Sequence, residues 1–239
     1  MDAVSLYQEP EVAAVETVAP ALEAIDAFRI FRSGEAETVA LRGLDLRIAA
    51  GGLVAILGPS GCGKSTFLHL AAGLDQPSAG EIRAFGRPLG RLGESELAHY
   101  RARRVAVVFQ AGNLWSDLTA GENVLVQLRL AGIRGSSRLV EEALGEFGLG
   151  PRAGTRVSAL SGGEQVRVAI AACAARQAPL VLCDEPTGEL DTHNESRVID
   201  ALMKLRADYG ATVVLVTHSN RVAEIAERVI EMRDGRVVR

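Results

Sequence analysis

A chain of 239 residues, 48% hydrophobic and 23% charged, has the length and composition of one large or two small globular domains, which excludes a wholly disordered chain. Its formal net charge of -4 argues against a protein that coats nucleic acid, a task that calls for a strongly basic surface. No apolar run approaches the ~18 residues of a membrane span, no basic-then-apolar leader opens the chain, and Cys62, Cys173 and Cys183 are too scattered for a disulfide framework or a zinc site.

Residues 1–27 hold six acidic side chains and no Lys or Arg. With Pro10 and Pro20 set among Ala, Val and Glu, they read as an acidic flexible arm that no core needs. From there on, short apolar runs alternate with helical patterns. Val54–Leu57, Val105–Phe109, Leu180–Cys183 and Thr212–Thr217 are bounded by Gly, Pro and polar clusters, as buried strands of a mainly parallel sheet are. Phe67–Gly73 follows the first run as a helix. Arg138–Phe147 places Leu139, Ala143, Leu144 and Phe147 near one face, and Val198, Ile199, Leu202 and Leu205 do the same before the last strand. Residues from about 112 to 160 show helical patterns without a clear strand, which predicts a helical insertion in an α/β core.

The strongest local pattern runs through Gly58, Pro59, Ser60, Gly61, Cys62, Gly63, Lys64, Ser65 and Thr66, directly after an apolar strand and opening a helix. Glycines let a backbone wrap a phosphate chain with its N–H groups turned inward, and the helix start adds the positive end of its dipole. In such a loop Lys64 neutralises the outer phosphates and the Ser65 hydroxyl holds Mg²⁺. The metal needs a carboxylate nearby, and the strand Leu180–Cys183 ends in two: Asp184, placed to order Mg²⁺, and Glu185, placed to polarise the attacking water. A second glycine-rich turn, Ser161, Gly162, Gly163 and Glu164, opens another helix with no strand before it and no lysine in it.

Taken together, these elements resemble the ATP-binding cassette (ABC) ATPases. The resemblance covers about residues 28–239 and implies one ATP-binding domain there: a P-loop NTPase core, an N-terminal antiparallel β subdomain and an inserted helical subdomain. It implies ATP and Mg²⁺ as cofactors, with Ser161, Gly162, Gly163 and Glu164 closing over the γ-phosphate held by a second subunit, the homodimer being the expected form. It further implies that Gln110 links metal and water to the helical subdomain, that Asp191 lies in a dimer-contacting loop, that His218 contacts the γ-phosphate and that Phe31 stacks on adenine. Gly52, Val166 and Ala172 depart from the family pattern at positions that touch neither phosphate nor metal.

The segment Phe31-Arg-Ser-Gly-Glu with Thr38–Gly43, together with Asp184–Asp191 and Ala226–Ile230, is similar to the subgroup that includes macrolide-export, lipoprotein-release and cell-division ATPases. Members work on an integral membrane permease from the cytoplasmic face, with no nucleic acid involved. The segment after Gln110 is where a permease helix docks in the family, and Trp115 there is either a docking anchor or a core residue. Competing readings are a soluble ABC ATPase of DNA repair or translation and a non-hydrolysing dimerisation module. The former carry long insertions or two cassettes, and the latter has no need of Glu185 and His218.

Overall fold

The computed structural model describes residues 19–34, 36–109 and 113–239. In chain order it runs β1 (Leu22–Ser33), β2 (Ala36–Ile48), β3 (Leu53–Leu57), α1 (Lys64–Ala71), β4 (Ala79–Ala84), β5 (Arg87–Pro88), α2 (Glu94–Arg103) and β6 (Val105–Val108). It continues with α3 (Ala120–Leu130), α4 (Ser137–Glu146), α5 (Gly162–Ala175), β7 (Leu180–Asp184), α6 (Thr192–Tyr209), β8 (Thr212–Thr217), α7 (Asn220–Ala223), β9 (Arg228–Arg233) and β10 (Arg236–Val237). Two sheets form. One is antiparallel, ordered β2-β1-β4-β5; the other has six strands, ordered β10-β9-β3-β8-β7-β6, and is parallel except at its β10 edge.

Side-chain alternation in the central strands divides the core. Val54 and Ile56 of β3, with Val214 and Val216 of β8, face α1 and the antiparallel sheet. Val213 and Leu215 of β8, with Val181 and Cys183 of β7, face α5 and α6. A sheet covered on both sides needs apolar residues at every position, and that is why these strands read as unbroken apolar runs. Several of the later helices are closed by side chains at their ends. Thr119 and Glu122 form a capping box on α3, Ser161 and Glu164 another on α5, while Asp191 caps α6 and Gly210, at φ 64°, ends it.

The acidic arm was expected to extend through residue 27, and the structure corrects that boundary. Residues 22–27 belong to β1, where Leu22, Ala24 and Ala27 are buried between β2 and β4. Residues 1–18 lie outside the described residues. The physical reason is an alternation of Leu22 and Ala24 with Glu23, which buries one face of the strand and leaves the carboxylate outward. Deletion through residue 27 should therefore abolish cooperative folding, and Leu22→Ala alone should cost about 3 kcal/mol, as for a fully buried leucine. Urea unfolding followed by Trp115 fluorescence measures both; parent-like stability for the deletion would restore the original boundary.

Candidate functional site

Parallel pairing sets Leu57 opposite Thr217, and Asp184 opposite Val216. The residues that leave β3, β7 and β8 at their C-terminal ends therefore emerge on one edge, where ligands of open α/β sheets bind. Gly58 begins the glycine-rich loop there, Glu185 follows β7 and His218 follows β8.

The loop's geometry is imposed by close packing. Gly63 has φ 104°, and a Cβ on it would lie 2.5 Å from the Ala40 carbonyl oxygen and 2.9 Å from Leu41 Cδ2, so only glycine fits between loop and β2. Lys64 opens α1 and is 6% exposed. Its ammonium donates to the Gly58 and Pro59 carbonyls, at 2.7 and 3.0 Å, spanning the loop from within. Ser65 Oγ donates to Asp184 Oδ1 at 3.0 Å, joining the loop to the end of β7. A hydroxyl and a carboxylate side by side are the oxygen donors Mg²⁺ takes when it arrives with substrate phosphates, and this pair fits that use. Among the described residues no group of three or more His, Cys, Asp or Glu could hold a metal unaided.

Glu185 has φ 49°, a left-handed conformation that costs a non-glycine residue roughly 1–3 kcal/mol and that clusters at functional sites. Its N–H donates to Val216 O at 3.0 Å, and its carbonyl accepts from Gly188 N–H at 3.1 Å, so the turn is pinned on both sides. The carboxylate points toward β8, where His218 Nδ1 lies 2.9 Å from Oε2. That contact is an ion pair when the imidazole is protonated, but it is poorly aligned for a hydrogen bond and leaves Oε2 a buried acceptor without a donor among the described residues.

The remaining sequence candidates lie elsewhere or serve first as structure. Gln110 lies outside the described residues. Ser161–Glu164 form the first turn of α5: Ser161 Oγ accepts from Glu164 N–H at 3.3 Å, and Glu164 Oε2 accepts from Ser161 N–H at 2.9 Å. The Ser161 backbone bond, with Arg152 at 3.1 Å, holds the Glu164 carboxyl below its ordinary range. Asp191 is likewise held low by its bonds to Asn194 and His193 as it caps α6. Among the described residues no hydrogen bond or ion pair joins either turn to residues 58–66. Phe31 stands 42% exposed on β1, with the Arg29 guanidinium over its ring at 4.6 Å from the centroid.

Sequence reasoning missed Asn123. It is fully buried on α3, and its amide accepts from Trp115 N–H at 2.8 Å and donates to the carbonyls of Trp115, Leu118 and Thr119. The backbone around Trp115 is thereby fixed while the indole stays 45% exposed. The available signal was a polar residue on the buried face shared by Ala120, Val124 and Leu128. Beside this segment a cavity of about 170 Å³ is lined by Phe109, Asn113, Leu114, Gln127, Cys173 and Arg176; Trp115 stands outside it.

Comparison with known proteins matches residues 41–188 to the ABC transporter family. The chain is 40% identical over 219 residues to the lipoprotein-releasing system ATP-binding protein LolD of Geobacter metallireducens, covering 91% of this chain and 97% of that protein. It is 41% identical over 231 residues to the macrolide export ATP-binding/permease protein MacB of Azoarcus sp., covering 96% of this chain but 35% of that longer protein. Its fold superposes with a TM-score of 0.84 on a dimeric post-hydrolysis state of the ATP-binding cassette MJ0796 bound to ADP and Pi, at 36% identity, covering 91% of this chain and 97% of that one.

Proposed function

Because this chain belongs to the ABC transporter family and is an ATPase cassette of it, we propose that two copies close on ATP and Mg²⁺ to drive a separate integral membrane permease from its cytoplasmic face. The observation that carries the reading is the convergence at one sheet edge of the Ser65–Asp184 and Glu185–His218 pairs. Among the described residues no helix is long and apolar enough to cross a membrane. Similarity to lipoprotein-release and macrolide-export proteins supports a permease of an export or mechanotransmission class.

Each residue has a part that its surroundings allow. The loop N–H groups, the α1 dipole and Lys64 hold the β- and γ-phosphates. Ser65 and Asp184 would hold Mg²⁺, which would supply neutralisation of charge on the phosphates, with Gln110 the expected link from that site to the helical segment. Glu185 accepts the proton of a water as its oxygen attacks the γ-phosphorus and the bond to ADP breaks. His218 stands beside the Glu185 carboxylate and meets the γ-phosphate. The α5 N-terminus of the second copy, Ser161–Gly163, supplies backbone N–H groups to the same phosphate, while Phe31 stacks on adenine.

Force leaves through the segment after Gln110. Asn123 clamps its backbone, and Trp115 offers an exposed aromatic, the kind of side chain that anchors interface centres. Trp115→Ala should weaken copurification with the permease by about 2 kcal/mol, roughly thirtyfold in affinity, while the isolated chain keeps its melting temperature and its ATP affinity. A variant that melts far lower yet assembles normally would make Trp115 a packing residue and move the docking site elsewhere.

A further inference from the structure

Two cationic side chains among the described residues are buried, Lys64 and Arg167. Lys64 has the loop carbonyls. Arg167, 5% exposed on α5, makes no hydrogen bond or ion pair with any described residue, and its Nη1 is a buried donor without an acceptor. A buried guanidinium left in this state is costly, so it needs a partner of opposite charge.

Arg167 lines a cavity of about 310 Å³ between the end of α4 and the outer face of α6. The other charged groups that face it are Glu146, Arg197, Asp200 and Lys204. Glu146 and Lys204 are already engaged: they lie 4.0 Å apart, Lys204 holds Asp208 at 2.6 Å, and Glu146 accepts from the Tyr209 hydroxyl. Arg197 forms no ion pair among the described residues, and Asp200 pairs with neither arginine. Burial, and after it the Arg197 charge, push the Arg167 guanidinium below its ordinary value, against a weaker pull from Glu164. Two like charges from adjacent helices thus face one cavity that shares no residue with the phosphate loop.

We propose that this cavity binds a small oxyanion of the phosphate class between Arg167 and Arg197. Planar guanidinium forks match the paired oxygens of a phosphate, and one anion there pairs with Arg167 where it lines the cavity and cancels the repulsion between α5 and α6. Because α5 begins with Ser161–Gly163, an occupied cavity steadies the helix that presents this turn.

The site is tested on the full chain labelled with ¹⁵N at arginine, titrated with inorganic phosphate and, separately, with AMP, against sodium chloride at equal ionic strength. The Nε–Hε signals of Arg167 and Arg197, assigned from Arg167→Lys and Arg197→Lys, should shift together and saturate with phosphate but not with chloride. Arg197→Ala, at an exposed helix position that leaves the fold intact, should raise the half-saturation point about tenfold, the low end for a charge-assisted bond because Arg197 is solvated. Asp200→Asn should lower it, and Lys64→Ala should leave it unchanged. Saturation by phosphate alone supports the free ion as ligand; saturation by AMP as well supports a phosphate ester. Shifts that never saturate, that chloride reproduces, or that Arg197→Ala leaves untouched overturn the proposal. So does an Asp200→Asn variant that melts lower and shows no phosphate response, since Asp200 is then the partner of Arg167.

Discussion

Glu185→Gln should lower ATP turnover about a thousandfold while ATP affinity stays within about twofold of the parent. The substitution keeps the side chain's length and shape. Glutamine bears the same left-handed backbone as glutamate, and the bonds that pin the turn, to Val216 O and from Gly188 N–H, are main-chain bonds that the change does not touch. What is lost is the ability of the buried Oε2 to take a proton, together with the negative charge that would face the γ-phosphate. The first loss stops the chemical step, and the second removes a repulsion in the ATP-bound state. ATP-bound dimers should therefore accumulate, visible as a shift to twice the mass in gel filtration with Mg-ATP and absent with ADP. Phosphate release at the parent rate would show that Glu185 is not the base.

The central sheet was legible because its physics leaves little choice. A strand covered on both faces must be apolar throughout, so Leu180–Asp184 and Thr212–Thr217 stand out as runs, and a polar residue at the exit of each marks the ligand edge. The loop at residues 58–66 was legible for a similar reason, since few uses call for glycines, a lysine and a hydroxyl in that order after a strand.

β1 was hidden. Its acidic residues Glu23 and Asp26 blended with those before it, and its pairing is irregular, shifting register between Ala24 and Ala27 where Asp26 adopts φ 43° and donates its N–H to Asp45. Composition averaged over 27 residues erased a period-2 signal only a few residues long. Asn123 and Arg167 were invisible for another reason. Each is one polar residue on a helix face that otherwise packs, and only the fold reveals whether it meets carbonyls, as Asn123 does, or a cavity, as Arg167 does. The capping roles of Glu164 and Asp191 are readable from spacing alone, as Ser-x-x-Glu and as Asp before a helix.

Lys64→Ala should weaken ATP binding about a hundredfold and lower turnover about a thousandfold, with only a small change in stability. The two effects separate because the ammonium does two jobs of unequal weight. In the structure it donates to the Gly58 and Pro59 carbonyls, which bridges the loop. Gly58 is only half-buried and Pro59 is exposed, so water can replace those bonds once the side chain is gone, at about 1 kcal/mol. Against phosphate no such substitute exists. A charge-assisted bond is worth about 3 kcal/mol, a hundredfold in affinity, and the transition state places still more charge on the oxygens that Lys64 faces. Ser65 and Asp184 keep their own contact, so that pair is not disturbed. Arginine should not rescue the site, because a longer planar fork does not fit where the ammonium is 6% exposed. Nucleotide affinity by calorimetry, phosphate release and a melting curve distinguish the outcomes. Near-normal hydrolysis would remove residues 58–66 from the nucleotide site, and a collapsed melting curve would mean that the bridge, more than the phosphate, is what Lys64 serves.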